Sequence, residues 1–461
     1  MSFFQKSAFW NKLITVFLAY KEIAKTKYDA LDNQQFKKKF LNAVPFWTAA
    51  FITGFAAVMY AKLFAWAEGG TSYVYAHFGW GVFIFTPFCF FVAWWLVYKY
   101  SPYARGSGIP QVMATIELTK PKYNYKVGQM LSIRSIVVKV ASSIIMIFGG
   151  GAIGREGPTI QIAASIFKKI NDYLPSWYPK ISKRNMIVTG AAAGLAAAFN
   201  TPLGGIVFAI EEITKTHFSY FKSALLVGVI ISGLTALNLL GPYLYLGYPH
   251  LEGIELWTIT IIIPVALIAG MSGSIMGNSI LWITKKRKTV DKKWKFIVFP
   301  IICGLLMAAI GYFLDIKALG SGKGIMITTL FSEDKHLNWY LPILRVAGTV
   351  ISFSTGAAGG IFAPSLSAGA SIGSVIAGWF EMNGAETNLV ILCGMVACLT
   401  GITKSPFTSS IIVIEMTNSH NIIFYLMLTA LVANIAADGI SKHSFYDYLR
   451  DQFVDEVKNG N

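Results

Sequence analysis

Two stretches decide the reading: GAAAGLAAAFNTPLGGIVFAIEEIT, from Gly190 to Thr214, and GMVACLTGITKSPFTSSIIVIEMTN, from Gly394 to Asn418. They align at one spacing, 204 residues, which pairs Gly190 with Gly394, Leu195 with Leu399, Pro202 with Pro406, Ile210 with Ile414 and Glu211 with Glu415. Upstream of each copy lies a glycine-rich break, GGGAIGREGP (Gly149 to Pro158) before the first and GAAGGIFAP (Gly356 to Pro364) before the second. Farther upstream come GSGIP (Gly106 to Pro110) and GSGKG (Gly320 to Gly324). The same features thus occur in the same order in both halves, the pattern of an internal duplication rather than of shared apolar composition.

Outside the breaks the chain is strongly apolar. Of its 461 residues 54% are hydrophobic and 13% charged, against about 25% charged in a soluble globular protein. A bilayer crossing takes about 20 apolar residues, and the clearest candidates are 46–66, 82–97, 136–153, 223–240, 257–283 and 422–440. The formal charge of +16 does not point to nucleic acid, because the cations sit in the gaps between spans. Lys37, Lys38 and Lys39 precede the first span. A second cluster is Lys168, Lys169, Lys180, Lys183 and Arg184, and a third runs from Lys285 to Lys295. The gaps 68–76 and 241–255 carry no Lys or Arg. Positive-inside bias therefore places the N-terminus and the basic gaps in the cytoplasm and the 241–255 gap outside.

Glycine- or proline-broken apolar segments at corresponding places in two halves point to a transporter site. Unwound backbone in a membrane is tolerated only where protein or a water-filled cavity satisfies it, so the breaks should meet in the interior. Helix N-termini there present free N–H groups and about half a positive charge each. That makes an anion site without bare lysines in the membrane.

GSGIP, GREGP (Gly154 to Pro158) and GIFAP (Gly360 to Pro364) together resemble the CLC family of chloride channels and chloride/proton exchangers, over about residues 46–450. The resemblance implies an all-α polytopic membrane protein built as two inverted repeats of tilted and broken helices. It also implies a homodimer in which each subunit has its own pore, bathed by membrane lipid. By the same resemblance the anion site takes Ser107, Gly108, Gly157, Ile361, Phe362 and Tyr446. Ser107 and Tyr446 would give hydroxyls, and Ile361 and Phe362 only backbone N–H groups. Tyr448 lies close to Tyr446, and Ser107 could equally serve as an N-cap for its own helix. Serine at 107 resembles the chloride-preferring branch rather than nitrate-preferring or fluoride-exporting relatives.

Two acids carry the expected proton chemistry. Glu156 stands at a helix start between Arg155 and Gly157. It is either a cap acid favoured by the helix dipole or, as the resemblance implies, an external gating carboxylate that competes with the anion when charged and leaves when protonated. Glu211 and Glu212 end the apolar run 203–210, where a carboxylate costs about 2.5–3.5 kcal/mol on insertion scales. The repeat pairs Glu211 with Glu415 and Glu212 with Met416, so Glu211 reads as scaffold. Counted from FNTP, Glu212 takes the position of the family's internal proton glutamate. The alternative is that both acids cap the cytoplasmic end and face water. The presence of Glu156 and Glu212 together favours chloride/proton exchange over a passive voltage- or pH-gated chloride channel of the same fold.

Cys89, Cys303, Cys393 and Cys398 all lie in apolar runs and form no CxxC pair, so packing is expected of them and no metal site or cofactor. GSGKG fails as a phosphate-binding loop, because Lys317 and Gly324 stand where that motif needs Gly and Ser or Thr. With no HExxH, GxSxG or Cys/His set, an intramembrane enzyme is a distant alternative. The expected layout is a cytoplasmic amphipathic segment over 1–41, a first membrane repeat over 42–240 and an extracytoplasmic loop over 241–255. A second repeat follows over 256–441, then a C-terminal helix and tail over 442–461, with no soluble regulatory domain and no signal peptide. Chloride, protons and lipid, not nucleic acid, are the expected partners, and a bacterial inner (cell) membrane the expected location.

Overall fold

The computed structural model describes residues 34–118, 121–215, 222–241, 244–288 and 293–459. Most of the expected amphipathic segment, 1–33, lies outside the described residues. From Gln34 the chain is helical through to His77. The described residues hold eighteen α-helices and no strand, and eight helices are long and apolar enough to cross a membrane.

Two of those eight are absent from the sequence expectation. Trp294–Leu314 was hidden because its first turn, with Lys295, merges with the basic gap that precedes it. Gly384–Thr403 opens on Glu386 and Asn388 and is interrupted by glycine, yet every residue of its apolar window is buried inside the protein. The expected span 136–153 stops short. Its helix, Ile133–Phe148, ends at Gly149, and Gly150 turns the chain with φ +83°, a conformation that favours glycine.

The two central helices are the repeat copies. Lys183–Phe199 is buried from Met186 to its end, and Gly384–Thr403 from Ala385 to its end. The first packs along Glu156–Asp172 and the second along Phe362–Trp379. Alanine and glycine line both seams. A Cβ at Gly394 would fall on the Gly369 carbonyl, and one at Gly190 would lie 2.9 Å from the Ala163 carbonyl. In lipid, close approach of this kind replaces the hydrophobic drive that water would supply.

Each central helix ends in a left-handed residue at the same repeat position, Asn200 or Lys404, both with φ +58°. Each is followed by a new helix that opens on proline, Pro202–Phe208 or Pro406–Thr417, the residue best suited to a first helical turn. The exposed N–H groups of these two starts are capped crosswise. Glu211 accepts from the N–H groups of Phe407 (3.1 Å) and Thr408 (2.6 Å), and Glu415 from those of Leu203 (3.0 Å) and Gly204 (2.7 Å). The two acids paired in the sequence thus lock the halves together.

Two buried cations are likewise paired, although the sequence reading did not single them out. Lys139 donates to the carbonyl of Gly106 (2.9 Å). Arg345, fully buried, donates to the carbonyls of Ala318, Leu319 and Gly320 and to Ser367. Each gives N–H groups to the loop before its half's first short helix. A lone charge inside an apolar helix is the signal that would have found them.

The crosswise caps yield a prediction. Gln at 211 or 415 keeps the shape and removes the charge, which costs about 1–2 kcal/mol per site. Glu211→Gln and Glu415→Gln should lower the midpoint of thermal unfolding in detergent by similar amounts. Unchanged melting in both variants would contradict the capping role.

Candidate functional site

Three helix starts meet inside the protein because their loops are hydrogen-bonded to one another. The N–H of Gly106 donates to Ala357 (2.9 Å) and that of Gly359 to Gly106 (3.1 Å). Gly154 and Gly360 exchange both bonds at 2.7 Å. These bridges bring together the starts of Ile109–Glu117, Glu156–Asp172 and Phe362–Trp379. Pro110, Pro158 and Pro364 fall in their first turns, where a missing N–H breaks no helix bond. The remaining first-turn N–H groups have no partner within their own helices.

The structure gathers the residues named from the sequence around these starts. Ser107 is buried, and its hydroxyl has no protein hydrogen-bond partner. It lies beside the hydroxyl of Tyr446, which is fully buried and also lacks a partner of good geometry. Tyr448, the alternative, is 38% exposed, so Tyr446 is the tyrosine of this site. Gly157 abuts Ser107 so closely that any side chain there would overlap the serine. Gly108 holds φ +106° against Gln161, which only glycine adopts without strain. Ile361 and Phe362 are buried. The Phe362 ring stacks on Tyr446 with centroids 6.1 Å apart and an angle of 20°, and Phe208 meets it edge-on at 6.1 Å.

Two orphaned buried hydroxyls beside helix N-termini make a donor-rich pocket without formal charge. A small anion satisfies such a pocket. A cation does not, because the N–H groups and dipole ends repel it.

Glu156 is the first residue of one of the helices whose starts meet here. It is 1% exposed. Oε1 accepts from the Tyr245 hydroxyl at 3.3 Å, and Oε2 has no hydrogen-bond partner among the described residues. Beyond it is a cavity of about 510 Å³ lined by Glu68, Ser72, Lys317 and Lys323. A second cavity, of about 270 Å³, reaches Ser107 past Arg105, Gln111, Arg287 and Ser354.

Glu212 lies on the side of the C-terminal helix. It sits in a π-helical turn, Ala209–Thr214, that extends Pro202–Phe208, and such turns recur at functional sites. The wider turn separates the neighbouring acids: Glu211 goes to its cap, while Glu212, 1% exposed, receives the hydroxyls of Ser405 and Ser444. Ser444 also caps Phe445–Lys458 and accepts the Tyr446 N–H at 3.1 Å. Glu212 is therefore joined through one serine to the residue that closes the pocket. The flanking Lys215 pairs with Asp447 at 2.5 Å and Lys404 with Asp438 at 2.8 Å, which marks this as the charged end of the molecule.

The sequence reading missed Tyr245, Ser405 and Ser444. Ser405 was detectable, because it stands at the repeat position of Thr201. Tyr245 lies in a loop with no periodic signal.

The family model described as voltage gated chloride channel matches residues 89–438. The H(+)/Cl(-) exchange transporter ClcA of Cronobacter sakazakii is 30% identical over 420 residues, covering 86% of each chain. That of Citrobacter koseri is 28% identical over 425 residues, covering 86% of this chain and 85% of its own. Among solved structures, a slow cyanobacterial Cl-/H+ antiporter superposes with a TM-score of 0.76 at 21% identity, over 90% of this chain and 98% of the other. A CLC-type fluoride/proton antiporter gives 0.74 at 20% identity, with the same coverage. With the duplicated halves, the meeting of three glycine loops and a family match over most of its length, the chain belongs to the CLC family of voltage-gated chloride channels and their exchanger relatives.

Proposed function

We propose that this protein is a chloride/proton antiporter. One observation carries the reading: two buried acids approach the same uncharged donor pocket, Glu156 from the first turn of one of its helices and Glu212 through Ser444, which also accepts the Tyr446 N–H. Ser107, Gly108, Gly157, Ile361, Phe362 and Tyr446 form the anion site. When ionised, Glu156 takes the N–H groups that chloride would otherwise use. When protonated, it loses its claim on them and swings out. Anion and proton therefore exclude each other at one place, and such exclusion is the basis of exchange.

Glu212 is the acid on the proton's inner route, and its contact through Ser444 with Tyr446 supports that role. The 1–41 segment and the basic gaps face the cytoplasm in this reading, and the 241–255 loop faces outward in a bacterial cell membrane. We take the protein as a homodimer. Leu203 and Phe407, repeat partners that are 52% and 53% exposed, flank the crosswise carboxylate caps. A second copy over that face would keep the caps from lipid. The names of the ClcA relatives support exchange, whereas the family model's description names a channel. Glu212 is what a passive channel has no use for.

Proteoliposomes decide between exchanger and channel. With the membrane potential clamped by potassium and valinomycin, a chloride gradient should drive protons uphill against a pH gradient. Chloride flux with no uphill proton movement would identify a channel.

The two acids should fail differently. Glu156→Gln imitates the protonated gate, so chloride flux continues and coupling ends. Glu212→Gln should leave chloride flux largely intact and abolish proton movement. Parallel recordings of chloride and pH on size-exclusion-pure protein check both. A folded Glu156→Gln protein without chloride flux, or a fully coupled Glu212→Gln protein, would reverse the assignment.

A further inference from the structure

We propose that Tyr245 is a positioning residue for the gate, a latch whose hydroxyl holds the Glu156 carboxylate over the anion pocket and sets how readily it leaves. The inference rests on the reading of Glu156 as the gate.

Tyr245 lies in the linker between the two halves, where a tyrosine would ordinarily be at the surface. Instead it is 3% exposed, and three contacts hold it inside. Phe199 meets its ring edge-on at 5.1 Å and 79°. The Lys323 ammonium sits 4.4 Å from the ring centroid. The next residue is tied down through its backbone, Leu246 N–H to Met416 carbonyl at 3.1 Å. A buried phenol needs a partner for its hydroxyl, and here that partner is Oε1 of Glu156, at 3.3 Å.

The geometry gives this bond a direction. Tyr245 is the donor the structure gives Oε1, and Oε2 has no hydrogen-bond partner among the described residues. Bonds to a charged acceptor are stronger than neutral ones, so the phenol favours the ionised, seated gate over the protonated, released one. The other charged or titratable groups around Glu156 and Tyr245 are Arg155, Lys323, Glu68, Tyr60 and Tyr446. None of these is removed by a change at 245. Lys323 links the latch to the outside, because the same side chain lines the outer cavity and packs on the Tyr245 ring.

The test is a four-protein cycle in proteoliposomes: the native chain, Tyr245→Phe, Glu156→Gln and the double variant, with chloride and proton flux recorded across a pH series. Tyr245→Phe keeps the ring and its packing and removes the donor. It should raise chloride turnover near neutral pH roughly three- to tenfold, the range for losing one ordinary hydrogen bond, since this one is long. It should also move the flux-against-pH profile to higher pH and increase the number of chlorides moved per proton. In the Glu156→Gln background the same change should do nothing, because there is no carboxylate to hold. A ring-fluorinated tyrosine at 245 is a stronger donor of almost the same shape and should lower turnover. If Tyr245→Phe does not fold, this arm decides alone.

The latch is overturned if Glu156→Gln frees chloride flux but neither change at 245 alters turnover, profile or stoichiometry. It is also overturned if Tyr245→Phe acts by the same factor in both backgrounds. A folded Glu156→Gln protein with no free chloride flux overturns the gate itself, and the latch with it.

Discussion

Four backbone hydrogen bonds between glycine loops, Gly106 with Ala357 and Gly359 and a reciprocal pair between Gly154 and Gly360, hold the centre of this molecule. Hydrocarbon cannot satisfy an open peptide group, so loops that interrupt membrane helices must bond to one another. Once they do, the three helices that leave them are compelled to start in one place. Their free N–H groups and dipole ends then point inward together. The donor-rich pocket is in this sense a by-product of satisfying broken backbone in lipid. Ser107 and Tyr446 refine it with hydroxyls, and the glycines are required because a side chain at 157 would occupy the space of Ser107.

Duplication supplies the scaffold, and departures from symmetry supply the chemistry. Glu211 and Glu415 do the same work in each half, as do Asn200 and Lys404 at the helix ends. Lys139 and Arg345 both brace a glycine loop, but with different results. Lys139 takes one carbonyl and leaves the Ser107 hydroxyl free, whereas Arg345 fills its half with donors and Ser321 is committed to Glu68 at 2.7 Å. One half therefore presents a pocket and the other a plug. Likewise Glu212 has Met416 as its repeat partner, fully buried among apolar neighbours. A route for protons that enters from one side needs such an acid in one half only.

Much of this was legible in the sequence, for reasons specific to each feature. The 204-residue offset, from Gly190 to Gly394, exposed the two halves and paired Glu211 with Glu415 before any contact was known. Gly, Ser and Pro punctuation located the helix starts, because only those residues suit such breaks. What stayed hidden was whatever depends on tertiary proximity. The Gly384–Thr403 helix looked too polar at its start, because Glu386 and Asn388 find partners in Thr258 and Lys335 that are distant in the chain. Trp294–Leu314 was masked by the basic gap into which its first turn, at Lys295, merges. Tyr245 and Ser444 come from a loop and a cap, where no period marks which side chain turns inward.

The positions of the two acids add a last constraint. Glu156 receives Tyr245 from the linker that carries no Lys or Arg, and Glu212 receives Ser444 from the C-terminal helix, whose neighbours Asp447 and Arg450 form ion pairs at the charged end. In the antiport proposed above, a proton passing between them would cross the pocket region, where the only titratable side chain of the proposed anion site is Tyr446, and its hydroxyl lies beside Ser107. Ser444 reaches Tyr446 only through the backbone N–H, which cannot give up its proton. Direct transfer along side chains is therefore broken at this point. The gap has to be bridged by water in the pocket or by movement of Glu156 toward it. In that mechanism chloride and water would share the same small space, so occupancy of the site would govern whether the proton passes. Coupling of this kind would need no long-range conformational signal, only two cargoes sharing one pocket whose donors were fixed by the glycine loops.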